Sequence, residues 1–184
     1  DKYFAIMNDI DFEARFTPSL SRFAGFLYGN GFTLSNILLD AHKNLGIYTR
    51  HVSGIGSEDT SYAYGVSTPN SSKTLQPNFA LINEIDSTSI VTGLKLDKFT
   101  LVASDTTENT TNTKTVIGGL VGTNKGRVDS ITMGVLGDTA TTIKVESNDL
   151  MTSTKYNYVY AVGGIVGYNN YGVITNSVNN ANIS

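Results

Sequence analysis

A glycine-rich motif that occurs twice constrains the fold of this chain more than any other sequence feature. It reads Val-Ile-Gly-Gly-Leu-Val-Gly-Thr-Asn-Lys-Gly at 116–126 and Val-Gly-Gly-Ile-Val-Gly-Tyr-Asn-Asn-Tyr-Gly at 162–172. A motif that returns after ~20–50 residues is typical of stacked repeat units. Glycine inside strands marks sharp bends or close approach of two backbones. We therefore assign a structural role to six glycines, which recur 45 residues apart: Gly118, Gly119, Gly122, Gly163, Gly164 and Gly167.

A second recurring pattern places apolar residues at relative positions 0, 3 and 5. It occurs at 34–39, 91–96 and 128–133, and it weakens at 174–179. This spacing fits neither a helix nor one continuous strand, and it predicts two strands joined by a corner at position 2. The predicted corner residues are Asn36, Gly93, Ser130 and Asn176. Stacking in register predicts three inward columns: Leu34, Val91, Val128 and Ile174; Ile37, Leu94 and Ile131; Leu39, Leu96 and Met133.

Three polar stretches interrupt the repeats, at about 54–76, 103–114 and 137–155. We interpret them as solvated loop insertions, because they offer no continuous apolar face for burial. No segment of ten or more residues shows a convincing helical stripe, so the predicted fold class is all-β. The length of 184 residues fits one domain spanning 1–184, since domains usually hold ~100–200 residues.

Composition excludes several classes of function. The net charge is −3, and the basic residues are scattered, which argues against a nucleic-acid partner. No stretch approaches the ~18 apolar residues of a membrane span. The absence of cysteine excludes disulfides and thiol chemistry. The two histidines, His42 and His51, lack metal-site spacing, and there is no Gly-x-Ser-x-Gly elbow. We expect no catalytic residues and no cofactor, apart from the calcium candidate below.

Three acidic residues near the start form that calcium candidate. Asp9, Asp11 and Glu13 alternate with Ile10 and Phe12, so one strand face would carry three carboxylates. Oxygen-rich clusters of this kind bind Ca²⁺. A solvated strand face is the simpler interpretation.

A tyrosine stripe is the candidate binding surface. Tyr156, Tyr158 and Tyr160 alternate with other residues, and tyrosine suits sugar stacking or a protein interface because it is amphipathic. The alternative is that the rings pack against a loop or lie inside the first turns of the coil. Glu84 and Asp86 flank one isoleucine, and they form either a carboxylate pair or, more simply, a solvated edge.

The motif copies resemble the GLUG repeat of large bacterial surface proteins. The match rests on Gly118 to Gly122 with Asn124, and on Gly163 to Gly167 with Asn169. Ala181 departs from the family pattern, which has glycine there. The resemblance implies a right-handed parallel β-helix, a solenoid found in filamentous adhesins, polysaccharide-active proteins and the N-terminal regions of immunoglobulin A-specific metallopeptidases.

The resemblance also implies an extracellular or bacterial cell-surface location. The leading hypothesis is a non-catalytic structural or adhesive segment, whose partners are a host protein or glycan and neighbouring domains of the same polypeptide. A second hypothesis is a substrate-positioning region of an immunoglobulin-cleaving metallopeptidase, with the catalytic residues outside this chain. A third is a carbohydrate-binding module that uses the tyrosine stripe. The sequence stops within a repeat, so we expect a segment of a longer protein.

Overall fold

A computed structural model describes residues 2–15, 17, 19–40, 78–104, 113–146 and 157–184. Within these ranges the chain forms strands and turns and contains no helix. It follows that none of the described residues form a helix long and apolar enough to cross a membrane. The all-β class predicted from the sequence is confirmed.

The strands are short, from two to seven residues. In chain order they are β1 (Tyr3–Ala5), β2 (Ile10–Asp11), β3 (Phe26–Tyr28), β4 (Thr33–Ser35), β5 (Leu38–Asp40), β6 (Asn78–Phe79), β7 (Ile82–Ile85), β8 (Ile90–Thr92), β9 (Lys95–Asp97), β10 (Thr100–Ser104), β11 (Thr113–Gly118), β12 (Val121–Asn124), β13 (Arg127–Asp129), β14 (Thr132–Met133), β15 (Thr142–Glu146), β16 (Asn157–Gly163), β17 (Val166–Asn169), β18 (Val173–Thr175), β19 (Val178–Asn179) and β20 (Asn182–Ile183).

These strands form five sheets in which the described strand pairs are parallel. Sheet I contains β6, β11 and β16; sheet II contains β7, β12 and β17; sheet III contains β1, β3, β8, β13 and β18; sheet IV contains β2, β4, β9, β14 and β19; sheet V contains β5, β10, β15 and β20. The chain visits sheets I to V in this order three times. We call these passages the first layer (78–104), the middle layer (113–146) and the last layer (157–184).

Strand register confirms much of the predicted stacking. Val91 pairs with Val128, and Val128 pairs with Ile174, as the first predicted column requires. Leu96 pairs with Met133 in the third column. In the second column, the Thr132 amide donates to the Leu94 carbonyl at 2.9 Å, which aligns Leu94 with Ile131.

The predicted columns are wrong for residues 34–39. Leu27, rather than Leu34, pairs with Val91. Leu34 instead pairs with Leu96, Leu39 pairs with Leu101, and the carbonyl of Ile37 accepts from the amide of Thr100. The reason is that the 0, 3, 5 spacing marks two different corners. Residues 34–39 turn from sheet IV to sheet V, whereas 91–96 turn from sheet III to sheet IV.

The four predicted corner residues have left-handed backbone conformations. Their φ angles are 55° at Asn36, 70° at Gly93, 53° at Ser130 and 49° at Asn176. Asparagine and glycine accept this region most readily. A single left-handed residue reverses side-chain parity between two short strands, so apolar residues on both sides of the corner point into the same core.

Inward side chains of all five sheets form one hydrophobic cluster. Its largest fully buried members are Phe99, Ile37, Leu39, Ile85, Leu94, Leu96, Leu101, Ile117, Leu120, Ile131 and Met133. Alternate side chains along the same strands point outward, where a ligand can reach them.

The predicted loops are only partly described. The stretch 54–76 lies outside the described residues, and of 103–114 the structure describes only the ends, in β10 and β11. The structure differs from the prediction at 137–155, because Thr142–Glu146 forms β15. Ile143 is fully buried and pairs with Leu101. Ile143, with the partly buried Val145 beside it, anchors a strand within a segment that otherwise has the composition of a loop.

Candidate functional site

The repeated motif lies where consecutive layers approach most closely. A Cβ at Gly119 would collide with the backbone oxygen of Gly164, and it would lie 2.6 Å from the Met133 Cε. A Cβ at Gly122 would lie 2.6 Å from the Asn83 carbonyl oxygen in the first layer. Real side chains do not tolerate such distances, so these glycines permit the layers to stack.

The second motif copy makes equivalent contacts in the last layer. A Cβ at Gly167 would lie 2.5 Å from the Ile117 oxygen. At Gly164 the obstacle differs, because the nearest atoms belong to the Asn179 side chain rather than to backbone. Gly118 and Gly163 each face a carbonyl of their own turn, from Val121 and Val166. The glycines thus have contacts that fit the predicted structural role.

Asparagines of the motif connect two layers. Asn124 is fully buried, and its Nδ2 donates to the Asn169 Oδ1 at 2.7 Å and to the Val173 carbonyl at 3.3 Å. Its Oδ1 accepts from the Gly126 amide at 3.0 Å. In the next layer Asn169 donates to the Gly172 carbonyl at 2.8 Å. The Asn-x-Gly spacing of the middle layer therefore closes the turn into sheet III and bonds it to its neighbour.

Asp129 forms the most connected polar cluster on the outer face of sheet III. Its carboxylate accepts hydrogen bonds from the hydroxyls of Thr175, Thr92 and Ser130 and from the Asn176 amide. The Thr175 hydroxyl is the largest cause that lowers the Asp129 pKa to about 2. A carboxylate with this many donors and so low a pKa is a poor general base near neutral pH. The carboxylate therefore connects three layers, because it lies in the middle layer and accepts from Thr92 in the first layer and from Thr175 in the last.

Charged residues beside sheet II form ion pairs between segments that are distant in sequence. Arg22 makes two hydrogen bonds to Asp86, from Nε at 2.7 Å and from Nη2 at 2.8 Å. Lys125 Nζ lies 2.8 Å from Glu84 Oε1. The hydrogen bond from Arg22 lowers the pKa of Asp86. Glu84 and Asp86 therefore each pair with a separate cation.

The three acidic residues near the start do not converge on one point. The Asp9 carboxylate accepts from the Thr33 amide at 2.7 Å. Asp11 Oδ1 accepts from the Glu13 amide and from Asn36 Nδ2, at 2.7 and 2.8 Å, and the Asn36 bond lowers the Asp11 pKa. Glu13 has a φ of 57°, so the alternation predicted for one strand ends before it. Among the described residues, no three His, Cys, Asp or Glu side chains group together to hold a metal ion.

The tyrosine stripe is only partly placed. Tyr156 lies outside the described residues, as do His42 and His51. Tyr158 and Tyr160 lie in β16; Tyr158 pairs with Lys114, and the pairing register skips Tyr160. Binding through this stripe stays a prediction.

Sequence reasoning missed an apolar hollow at the N-terminal side of the sheets. Its volume is about 970 Å³. The rings of Tyr3 and Phe26 stack on the outer face of sheet III, with centroids 4.7 Å apart. No single segment signals either feature, since the residues come from strands that are adjacent only in the fold. The apolar lining of the hollow includes Phe4, Ile6, Phe12, Leu20, Phe23 and Leu27.

Comparison of this chain with protein-family models, curated proteins and solved structures finds no match. Over the residues that the structure describes, the class that it defines is all-β, with short parallel strands in five sheets. Function therefore has to be inferred from this arrangement and its surfaces.

Proposed function

We propose that this chain is a right-handed parallel β-helix that serves as a non-catalytic structural or adhesive segment of a secreted or cell-surface bacterial protein. One observation carries the proposal: three passages of the chain visit the same five sheets in the same order. A chain that repeats this course with parallel pairing coils about one core. The right hand is expected because parallel crossovers are right-handed in ~98% of cases.

Polar contacts support a structural role over a catalytic one. The buried Asn124 amide and the Asp129 carboxylate, the two most connected polar groups of the motif region, both bond adjacent layers together. Catalytic groups usually lie in a concave site with a free, reactive atom. Here the hydrogen-bonding capacity of both groups is directed to neighbouring backbone and side chains, which is the expected use in a stack.

The proposed adhesive role rests on the outer faces of the sheets and on the resemblance to the GLUG repeat. Side chains in register on parallel strands form columns spaced by ~4.8 Å. The column Tyr3, Phe26, Ile90, Arg127 and Val173 on sheet III combines apolar and charged residues at such spacing. A host protein or a glycan is the proposed partner, since both present extended surfaces to a rigid face.

Surface display tests the proposal. The chain would be displayed on a non-adherent bacterium, and binding to immobilised host proteins and glycans would be counted. The matched control is Gly119→Val, displayed at the same level, which keeps the outer side chains but disrupts the stack. We expect adherence only with the unaltered chain. Equal adherence of both would overturn the adhesive role, and cleavage of immunoglobulin by the purified chain would overturn the non-catalytic role.

A further inference from the structure

The last layer differs from the others in charge. Residues 157–184 contain no Asp, Glu, Lys or Arg, whereas 78–104 contain five and 113–146 contain seven. Natural sheets protect exposed edges with charged side chains, proline or bulges, because an unprotected edge pairs with other strands. The last layer has no proline either, and a bulge occurs in it at Tyr160 of β16. The last layer therefore lacks the charged side chains and the proline that protect an exposed edge.

The last layer forms one edge of all five sheets. Strands β16, β17, β18, β19 and β20 each stand at the end of their sheet, and among the described strands each pairs only with the middle layer. A terminal strand presents a row of backbone N–H and C=O groups without strand partners. The last layer has five such rows, one in each sheet. They have the same arrangement as the five middle-layer strands with which the last layer pairs.

Apolar side chains at this edge end the core columns. Ile174 is 42% exposed and Ile183 is 47% exposed, whereas Val128 and Ile143, their partners in register, are fully buried. In sheet IV the column of Leu96 and Met133 ends instead in a polar residue, Asn179. The columns of sheets III and V thus carry apolar residues to the edge, where a further layer would cover them.

Asparagine continues the polar ladder to the same edge. Asn124 bonds forward to the Asn169 side chain and to the Val173 carbonyl. Asn169 is exposed and donates to Gly172 within its own layer. An amide nitrogen carries two N–H donors, and Asn169 uses one of them for Gly172. Asn169 can therefore donate a hydrogen bond to a next layer, as Asn124 donates one to Asn169.

We propose that the edge formed by the last layer binds a further parallel strand layer of the same repeat pattern, supplied in cis and paired across all five sheets. The proposal rests on the β-helix proposed above. A second copy of this chain fits less well, because its N-terminal strands β1 and β2 belong only to sheets III and IV. That end also carries charges, on Lys2, Asp9, Asp11, Glu13 and Arg15.

An extended chain tests the proposal. Residues 147–184 would be duplicated directly after Ser184, which supplies both a connection and five strand segments. The control carries the same residues in shuffled order. Hydrogen exchange of the amides in β18 and β19 is the readout, and we expect protection to rise at least ~10-fold in the extended chain only, because local opening then requires loss of a covering layer. Ile174→Lys in the extended chain should remove the gain.

Three results would overturn the proposal. Protection of β18 that is equal in the extended and shuffled chains would exclude a specific layer, and if Val128 stayed protected, the β-helix itself would stand. Weak protection of Val128 in every chain would overturn the β-helix as well. Concentration-dependent association of the unextended chain, with protection of its own β18, would show that a second copy is the occupant.

Discussion

The middle and last layers follow the same course through the five sheets but differ in what covers them. Ile143 and Ile183 are the same residue type, pair in register, and are 0% and 47% exposed. Asn124 is fully buried, and its counterpart Asn169 is exposed. Burial in this fold is therefore supplied by the neighbouring layer, as expected where each repeat contacts mainly its neighbours.

Equivalent positions in the middle and last layers should therefore contribute unequally to the free energy of unfolding. A substitution in the middle layer disturbs contacts on two sides, whereas the same substitution in the last layer disturbs contacts on one. Matched pairs of variants, one in each layer, measure this difference. They also separate the effect of the residue type on stability from the effect of burial by the neighbouring layer.

The largest effect is expected from the motif glycines. Gly119→Ala forces a Cβ against the backbone of Gly164 and the Met133 side chain, and we expect a loss of about 3 kcal/mol or more in the free energy of unfolding. Gly164→Ala meets the exposed Asn179 side chain, which can rotate away, and should cost about 1 kcal/mol. Urea denaturation followed by circular dichroism checks both. Equal losses would contradict the comparison.

The isoleucine pair should give the next largest difference. Ile143→Ala leaves a cavity in the fully buried core, and a cost of about 3 kcal/mol is typical for such a truncation. Ile183→Ala removes a half-exposed side chain and should cost about 1 kcal/mol. Thermal and urea unfolding of the two variants measure these values. A larger cost at Ile183 would show that the last layer is covered in solution.

The asparagine pair sharpens the comparison for polar groups. Asn124→Ala leaves the Gly126 amide and the Asn169 oxygen without their partner, so we expect a loss of about 2 kcal/mol. Asn169→Ala removes an exposed side chain, and water can replace its bonds, so about 1 kcal/mol is expected. Losses in the reverse order would show that the ladder does not stabilise the middle layer.

The smallest effect concerns pH and Asp129. Its folded pKa of about 2 lies below the ordinary value of 3.8, so its stabilising contribution is complete above pH 3.8 and is lost as pH falls toward 2. Asp129→Asn should lower stability at pH 7 and leave it unchanged near pH 2. Urea midpoints of both proteins between pH 7 and 2 measure this. Parallel curves would show that the carboxylate does not stabilise the fold.

Repeat spacing predicted the strand pairing correctly where the two motif copies lie. It predicted the pairing wrongly for residues 34–39, where no copy of the glycine motif fixes the register. The offset between copies gave the pairing of Val128 with Ile174. Leu34 was misplaced because one apolar spacing serves two corners. The strand at Thr142–Glu146 was missed because only Ile143 and Val145 are apolar there, among polar residues typical of loops.

The polar contacts could be predicted only in part. No local motif singles out Asp129 in the sequence, because its partners Thr92 and Thr175 lie 37 and 46 residues away. Those separations match the distances between repeats, so the repeat register could have identified the cluster. The hollow lined by Phe4 and Leu20 could not be found in this way, since it depends on how the N-terminal strands pack.

Cysteine pairs test the in-register stacking of layers most directly, because the chain has no native cysteine. Arg127 and Val173 are direct partners on β13 and β18. Parallel neighbours ~4.8 Å apart lie within the range that a disulfide bridges, whereas a shift of two residues gives about 8 Å. Arg127→Cys with Val173→Cys should form an intramolecular disulfide on mild oxidation, and Arg127→Cys with Thr175→Cys should not. Equal yields from the two pairs, or a bond only in the second, would contradict the stack.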